Sequence, residues 1–187
     1  LVFYSGLGGL CLIPLLTIYR LYLLIPIGVL ALSLLGLNLF YAAKGKERDV
    51  AANLFGIGGL CLNAPLAYYV SGGELVSLML VIWAACSLFF ASSLFYVRML
   101  FRESNNFFFR ETALIVHLVA FVIVLAGTQM EMVPPLMPLA FVPPLLKIIV
   151  AIKRAGMPSL KQIGFVELAH SVVFLTLILI SFAFPSS

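Results

Sequence analysis

The lengths of the apolar runs between charged residues constrain this chain more than any motif does. Charges and turn residues divide it into seven runs, roughly 1–19, 21–43, 50–71, 75–100, 112–129, 135–152 and 164–184. A helix needs about 20 apolar residues to cross the hydrocarbon of a bilayer, so each run has the length of a crossing. With 64% apolar and 10% charged residues, there are too few charges to coat a water-soluble globule, which carries about 25%. A transmembrane β-barrel needs alternating segments of about ten residues, and the continuous runs exclude one. The expected fold is all-α, a polytopic transmembrane helical bundle forming a single domain over 1–187.

The positive charges supply an orientation. Lys44, Lys46 and Arg48 lie in one loop, Arg98, Arg102 and Arg110 in a second, and Lys147, Lys153, Arg154 and Lys161 around a third, whereas 71–74 and 129–135 carry none. Cations accumulate on cytoplasmic loops. The loops 44–49, 98–111 and 153–163 are therefore expected in the cytoplasm and the C-terminal Pro185-Ser186-Ser187 outside. The net charge of +4 records this orientation and does not indicate nucleic acid. The chain starts at Leu1, already inside an apolar run and with no basic stretch before it. That reads as an internal piece of a longer chain rather than as a signal peptide.

Few residues carry chemistry. Gly6-Leu7-Gly8-Gly9-Leu10-Cys11-Leu12 is echoed by Gly56-Ile57-Gly58-Gly59-Leu60-Cys61-Leu62, with Pro14 and Pro65 after them. Dense glycine lets helices approach closely. The echo reads either as a duplicated helix pair framing a narrow lipid crevice or as a coincidence among Gly/Leu-rich spans. Cys11, Cys61 and Cys86 all lie in apolar runs and read as small packing residues. Asn38, Asn53 and Asn63 are expected to hydrogen-bond across helix contacts. Tyr19, Tyr22, Tyr41, Tyr68, Tyr69 and Tyr96 are expected in aromatic belts at span ends.

Ionisable groups inside a membrane are costly and mark functional positions. His117, Glu167 and His170 qualify. Glu167-Leu168-Ala169-His170 has the Glu-x-x-His spacing of di-metal bundles, but it is the one such motif here. A pigment or haem ligand is a second possibility, and paired polar groups between helices a third. In the third case Glu167 would pair with Lys161 or Arg110, and Lys147 would snorkel to the cytoplasmic interface. The stretch Arg102-Glu103-Ser104-Asn105-Asn106-Phe107-Phe108-Phe109-Arg110-Glu111 reads as an interfacial segment lying on the membrane, ahead of a lid over a cavity for an anionic headgroup. The candidate ligand-binding residues are thus Arg102, Glu103, Arg110, Glu111, His117, Glu167 and His170, with no catalytic and no metal residues.

Several short stretches resemble, in order, the YwiC-like family of bacterial integral membrane proteins. They are Lys46-Glu47-Arg48 followed by Asn53-Leu54 and a Gly-rich helix, Phe95-Tyr96-Val97-Arg98 with Phe101-Arg102-Glu103, Leu139-Ala140-Phe141-Val142-Pro143, and Ile163-Gly164-Phe165-Val166-Glu167. They spread from about residue 38 to the C-terminus. The family's usual beginning, a Lys-Gln-His-Gly-Ala-Trp type motif with about two helices, has no counterpart here. The resemblance therefore implies the last seven of nine helices, and nine is the architecture of the distantly similar UbiA prenyltransferases. Those enzymes hold Mg²⁺ and a prenyl diphosphate with Asp-rich loops, and carboxylates suit Mg²⁺. Here the corresponding loop 98–111 offers Glu103 and Glu111 but no Asp, and Asn53 stands where family members tend to carry an acid.

Three functions follow as expectations. The first is a non-catalytic accessory subunit, or a lipid- or pigment-binding component, of a respiratory or photosynthetic membrane complex. It would sit in a bacterial cytoplasmic membrane, with the bilayer and neighbouring subunits as partners and a lipid, quinone or pigment as the bound group. The second is a divergent prenyltransferase using Mg²⁺. The third is a small-solute transporter, for which no span carries a matched set of buried charges.

Overall fold

The structure is a computed structural model that describes residues 10, 13–73, 76–153 and 158–183. Among these it contains α-helices α1 (Leu24–Ala43), α2 (Val50–Cys61), α3 (Asn63–Val70), α4 (Val76–Phe101), α5 (Phe107–Gln129), α6 (Val142–Lys153) and α7 (Leu160–Ala183), with a 3₁₀ turn over Met137–Phe141. No strand occurs among the described residues. Five helical stretches are long and apolar enough to cross a membrane: Leu24–Ala43, Val50–Val70, Val76–Phe101, Phe107–Gln129 and Leu160–Ala183. The chain is an all-α, multi-pass integral membrane protein.

The sequence suggests seven crossings, and five of them coincide with these stretches. The first run falls largely on residues outside those described. The sixth is broken: the 3₁₀ turn Met137–Phe141 precedes the 12-residue α6, which at 1.5 Å per residue spans only about 18 Å. Prolines explain the break. Pro134, Pro135 and Pro138 cannot donate to a preceding turn, so the helical ladder starts only at Val142, with Pro143 and Pro144 in its first turn, where proline is tolerated. The third run is also interrupted. Pro65 lacks an N–H for the Cys61 carbonyl, four residues back, and α2 gives way to α3 at Leu62. Beside the break, Asn63 Nδ2 donates to the Leu60 carbonyl at 2.9 Å.

Helix ends follow local chemistry. α1 and α3 terminate with a left-handed glycine, Gly45 (φ 66°) and Gly72 (φ 96°). The bonds Lys46 N–H to Tyr41 O and Gly73 N–H to Tyr68 O close their last turns, the six-to-one pattern of a glycine cap. α5 ends the same way, with Met132 N–H bonded to Gly127 O, but the left-handed position is Glu131 (φ 59°). At the start of α5, the Asn106 side chain accepts from the Phe109 amide. At the start of α7, Ser159 Oγ accepts from Gln162 N–H, and Gln162 Oε1 accepts from Ser159 N–H, a reciprocal capping box. As a result α5 and α7 start at 107 and 160, earlier than the apolar runs suggest.

The chain divides into two compact units, residues 1–83 and 84–187. In the first, α1 and α2 form a hairpin. Asn38 Nδ2 donates to the Ala52 carbonyl at 2.8 Å, and a Cβ added at Gly56 would meet that same amide nitrogen at 3.3 Å. Glycine is needed here because the neighbouring helix brings a polar side chain against its backbone. Trp83 Nε1 donates to the Gly58 carbonyl at 2.9 Å, so the second Gly-rich copy frames a contact with both α1 and α4. The first copy lies almost wholly outside the described residues. Asn38 thus bonds across helices as expected. Asn53 and Asn63 instead bond locally, to the Asp49 and Leu60 carbonyls.

In the second unit, α4, α5 and α7 each present one stripe inward. Phe89, Ser92, Tyr96 and Met99 are buried on α4, Ala113, His117, Ala120 and Val124 on α5, and Ile163, Phe174, Ile178 and Ser181 on α7. Apart from the eleven residues between Ile163 and Phe174, their spacing of three and four residues is that of a single helix face. Phe174 links the elements, stacked on Phe89 at 3.9 Å between centroids and edge-on to Phe141 at 5.6 Å. The outward faces are almost entirely apolar: Ile115, Val119 and Val122 on α5 and Leu168, Val172, Leu175 and Leu179 on α7 are all exposed.

Candidate functional site

The polar centre of the second unit lies on the inward stripes of α4, α6 and α7. Glu167 is one turn along α7 from buried Ile163, and Lys147 stands beside buried Ile148 on α6. Lys147 Nζ lies 2.5 Å from Glu167 Oε1. Glu167 Oε2 accepts a hydrogen bond from Ser93 Oγ, so both carboxylate oxygens are engaged. The same ammonium lies 4.2 Å from the centre of the Tyr96 ring, a cation–π contact that strengthens when water is excluded. Three helices are therefore joined through one carboxylate.

Helix geometry sets the depth of this network. Lys147 is six residues before the end of α6, and Glu167 is seven residues beyond the start of α7. At 1.5 Å per residue both lie about 10 Å inward from the same end of the unit. At that depth an unpaired charge would be costly, and the two offset each other. The observed geometry corrects three expectations. Lys147 does not snorkel out; it is buried, and its side chain is only 4% exposed. Glu167 takes Lys147 rather than Lys161 or Arg110. Tyr96, expected in an aromatic belt, is buried beside the ammonium instead.

His117 is buried on α5. Its Nδ1 lies 2.7 Å from the Ala113 carbonyl. A carbonyl only accepts, so this nitrogen carries the proton and the opposite Nε2 of the neutral ring is an acceptor. That Nε2 is buried without a hydrogen-bond partner. His170 has the same arrangement, with Nδ1 at 2.8 Å from the Val166 carbonyl.

Next to this network is a cavity of about 410 Å³, whose walls include Tyr96, Leu100, Leu146, Lys147, Val150 and His170. Leu146 and Val150 are 56% and 63% exposed, so the cavity opens at the surface of the unit. A smaller cavity of about 220 Å³ in the first unit is lined by apolar side chains, among them Leu23, Pro26, Leu62, Pro65, Met79 and Trp83.

The remaining candidates do not gather at the cavity. Arg102, Glu103, Arg110 and Glu111 flank the α4–α5 hairpin, whose loop is only residues 102–106. Glu103 lies 3.9 Å from Arg98 and accepts from Asn106 Nδ2 at 3.0 Å, which ties it to the α5 cap. Glu111 is exposed in the first turns of α5, Arg102 is exposed at the end of α4, and Arg110 is half-buried. The Phe107-Phe108-Phe109 stretch forms the first turn of α5. Phe107 and Phe108 face outward, and Phe109 turns in to stack on Phe95. Among the described residues no group of three His, Cys, Asp or Glu could hold a metal ion. Cys61 is buried and Cys86 half-buried in apolar helices, while Cys11 lies outside the described residues.

Sequence reasoning singled out Glu167 and His170 but missed Lys147, Ser93 and Tyr96 as their neighbours. Ser93 carries no signal in the chain, since a serine in an apolar helix is ordinary. Lys147 did carry one: a lysine two turns inside an apolar run needs either a route out or a partner, and Glu167 was the intramembrane acid available.

A family model described as YwiC-like protein matches residues 1–68. An uncharacterized protein of Haemophilus influenzae is 27% identical over 150 residues, covering 80% of this chain. The chain spans 60% of that relative's length. No solved structure matches. The family match lies within the first unit and ends 15 residues before its boundary, whereas the stretches that carry the resemblance run from about 38 to the C-terminus, and the two overlap at 38–68. Over residues 1–68 the chain is thus similar to the YwiC-like family.

Proposed function

We propose that this chain is a non-catalytic integral membrane protein, an accessory subunit or a lipid- or pigment-binding component of an energy-converting membrane complex. The observation that carries the reading is the state of the buried charges. Catalytic acids and bases are held ready for a substrate proton, whereas Glu167 spends both oxygens on Lys147 and Ser93. Such a cluster joins helices and shapes a cavity; it does not present a reactive group. The exposed apolar faces of α5 and α7 suit contact with lipid or with neighbouring apolar helices. The distribution of Lys and Arg supports an orientation with 44–49, 98–111 and 153–163 in the cytoplasm of a bacterium.

Purifying the natural full-length protein from its own membrane in mild detergent, followed by native mass spectrometry, tests this. Co-purifying subunits or a retained lipid-like molecule are expected. A chain that always runs alone and empty overturns the reading.

A further inference from the structure

We infer that the 410 Å³ cavity of the second unit binds the head of a neutral lipid that presents a carbonyl oxygen, with Lys147 as the hydrogen-bond donor. This rests on the lipid-binding part of the proposed function and names the chemistry that would be recognised. The volume is within the range of about 300–1,000 Å³ usual for small-molecule sites, large enough for a ring or a glycerol ester group. Its walls are mostly apolar, with Leu100, Leu146, Val150 and Val166 among them. It opens beside exposed Leu146 and Val150, on a surface where an acyl or isoprenoid tail can continue into the bilayer.

Charge selects against the other heads. Among the described residues Lys147 is the one cation in the cavity wall, and it already pairs with Glu167 at 2.5 Å, so that pair is neutral. An anion placed on the ammonium would also face the carboxylate. At an effective dielectric of about 20, attraction and repulsion at similar distances are each about 4 kcal/mol and largely cancel. Among the described residues, none of the unit's other cations, Arg98, Arg102, Arg110, Lys153 and Lys161, lines the cavity. Among the described residues a cationic head finds no acid in the cavity wall. A carbonyl suits what remains. An ammonium has three N–H donors; Glu167 takes one, the Tyr96 ring accepts the charge face-on, and a further N–H is left for a ligand oxygen. His170 adds polarity at the same wall. Its Nδ1 is committed to Val166 O, leaving Nε2 of the neutral ring to accept from a ligand hydroxyl.

Equilibrium dialysis of the detergent-purified chain tests the inference with three probes: a short-tailed benzoquinone, a short-chain diacylglycerol and a short-chain phosphatidylglycerol. Saturable one-to-one binding of at least one of the two neutral carbonyl probes, tighter than phosphatidylglycerol, is expected. Quinone binding without diacylglycerol binding, or the reverse, identifies the source of the carbonyl. Val150→Trp, which fills the mouth from an exposed position and leaves the ion pair intact, should weaken binding by about tenfold or more. The double variant Lys147→Met/Glu167→Gln removes donor and counter-charge together, so the fold is not left with one buried charge. It should also lose about tenfold, the scale of one hydrogen bond to a charged group. Preference for phosphatidylglycerol, or no binding of either neutral probe, overturns the inference. Neutral-probe binding that Val150→Trp leaves unchanged also overturns it, while leaving the lipid-binding reading standing.

Discussion

The ammonium of Lys147 lies 2.5 Å from the carboxylate of Glu167, and of the two the lysine is the more deeply buried, its side chain 4% exposed against 17%. Removing either partner strands the other charge in a poorly solvated interior, which costs about 3–5 kcal/mol. Lys147→Met and Glu167→Leu should each destabilise the second unit on that scale in detergent unfolding. The pair removed together should lose clearly less than the sum of the two. Additive losses in this double-mutant cycle would show that the two side chains do not interact.

Glu131 is the left-handed residue that ends α5, the position glycine fills at the ends of α1 and α3. An L residue there costs about 1–2 kcal/mol relative to an unstrained conformation, and a carboxylate at a helix C-terminus adds a small penalty. Glu131→Gly should therefore raise stability, by about 1 kcal/mol after glycine's own entropy cost. A lower unfolding midpoint for the variant would contradict this account of the cap.

The α1–α2 contact distinguishes two glycines. A Cβ at Gly59 would meet Leu34 Cβ at 3.8 Å, an ordinary contact, whereas one at Gly56 would press on Asn38 Nδ2 at 3.3 Å. Alanine gains about 1 kcal/mol of helix propensity at either site. Gly59→Ala should keep that gain, and Gly56→Ala should lose it by disturbing the Asn38–Ala52 bond. Equal stabilisation by both would remove the case for a packing role at Gly56.

Trp83 is the single tryptophan of the chain, and its indole donates to the Gly58 carbonyl. Trp83→Phe should cost about 1 kcal/mol or somewhat more, the net value of one such bond plus the lost ring area. Because no other tryptophan contributes, intrinsic fluorescence follows the first unit, and Asn38→Leu should change its emission on unfolding at a lower denaturant concentration. An unchanged midpoint would separate Trp83 from the hairpin.

Orientation is checked by thiol labelling. Lys46→Cys and Ser104→Cys should react with an impermeant reagent only after the membrane is opened, and Met132→Cys from outside in intact cells. The reverse pattern would invert the reading of the cations.

Membrane crossings are legible in this chain because a bilayer demands about 20 apolar residues and little else; Leu24–Ala43, Val76–Phe101 and Phe107–Gln129 follow directly. Which side of a helix faces inward is not legible. With lipid outside and apolar side chains inside, the stripes of α5 and α7 do not differ in polarity from their outward faces, so the inward placement of Glu167 and Ser93 leaves no trace in the pattern. Lys147 and Glu167 are also 20 residues apart on different helices, beyond any local spacing rule. Helix starts were readable in principle: Ser159-Leu160-Lys161-Gln162 is a capping box, which places the start of α7 before its apolar run. The prolines between 134 and 144 mark a break, but they do not show that a buried 3₁₀ turn fills it.

The bond from Asn38 to the Ala52 carbonyl also bears on biogenesis. An asparagine amide travelling alone into hydrocarbon is penalised, and it finds its acceptor only when α2 arrives beside α1. The two helices are thereby coupled during insertion as one hairpin, with their stagger set by a latch 14 residues long, before any later helix is available to correct a slipped register.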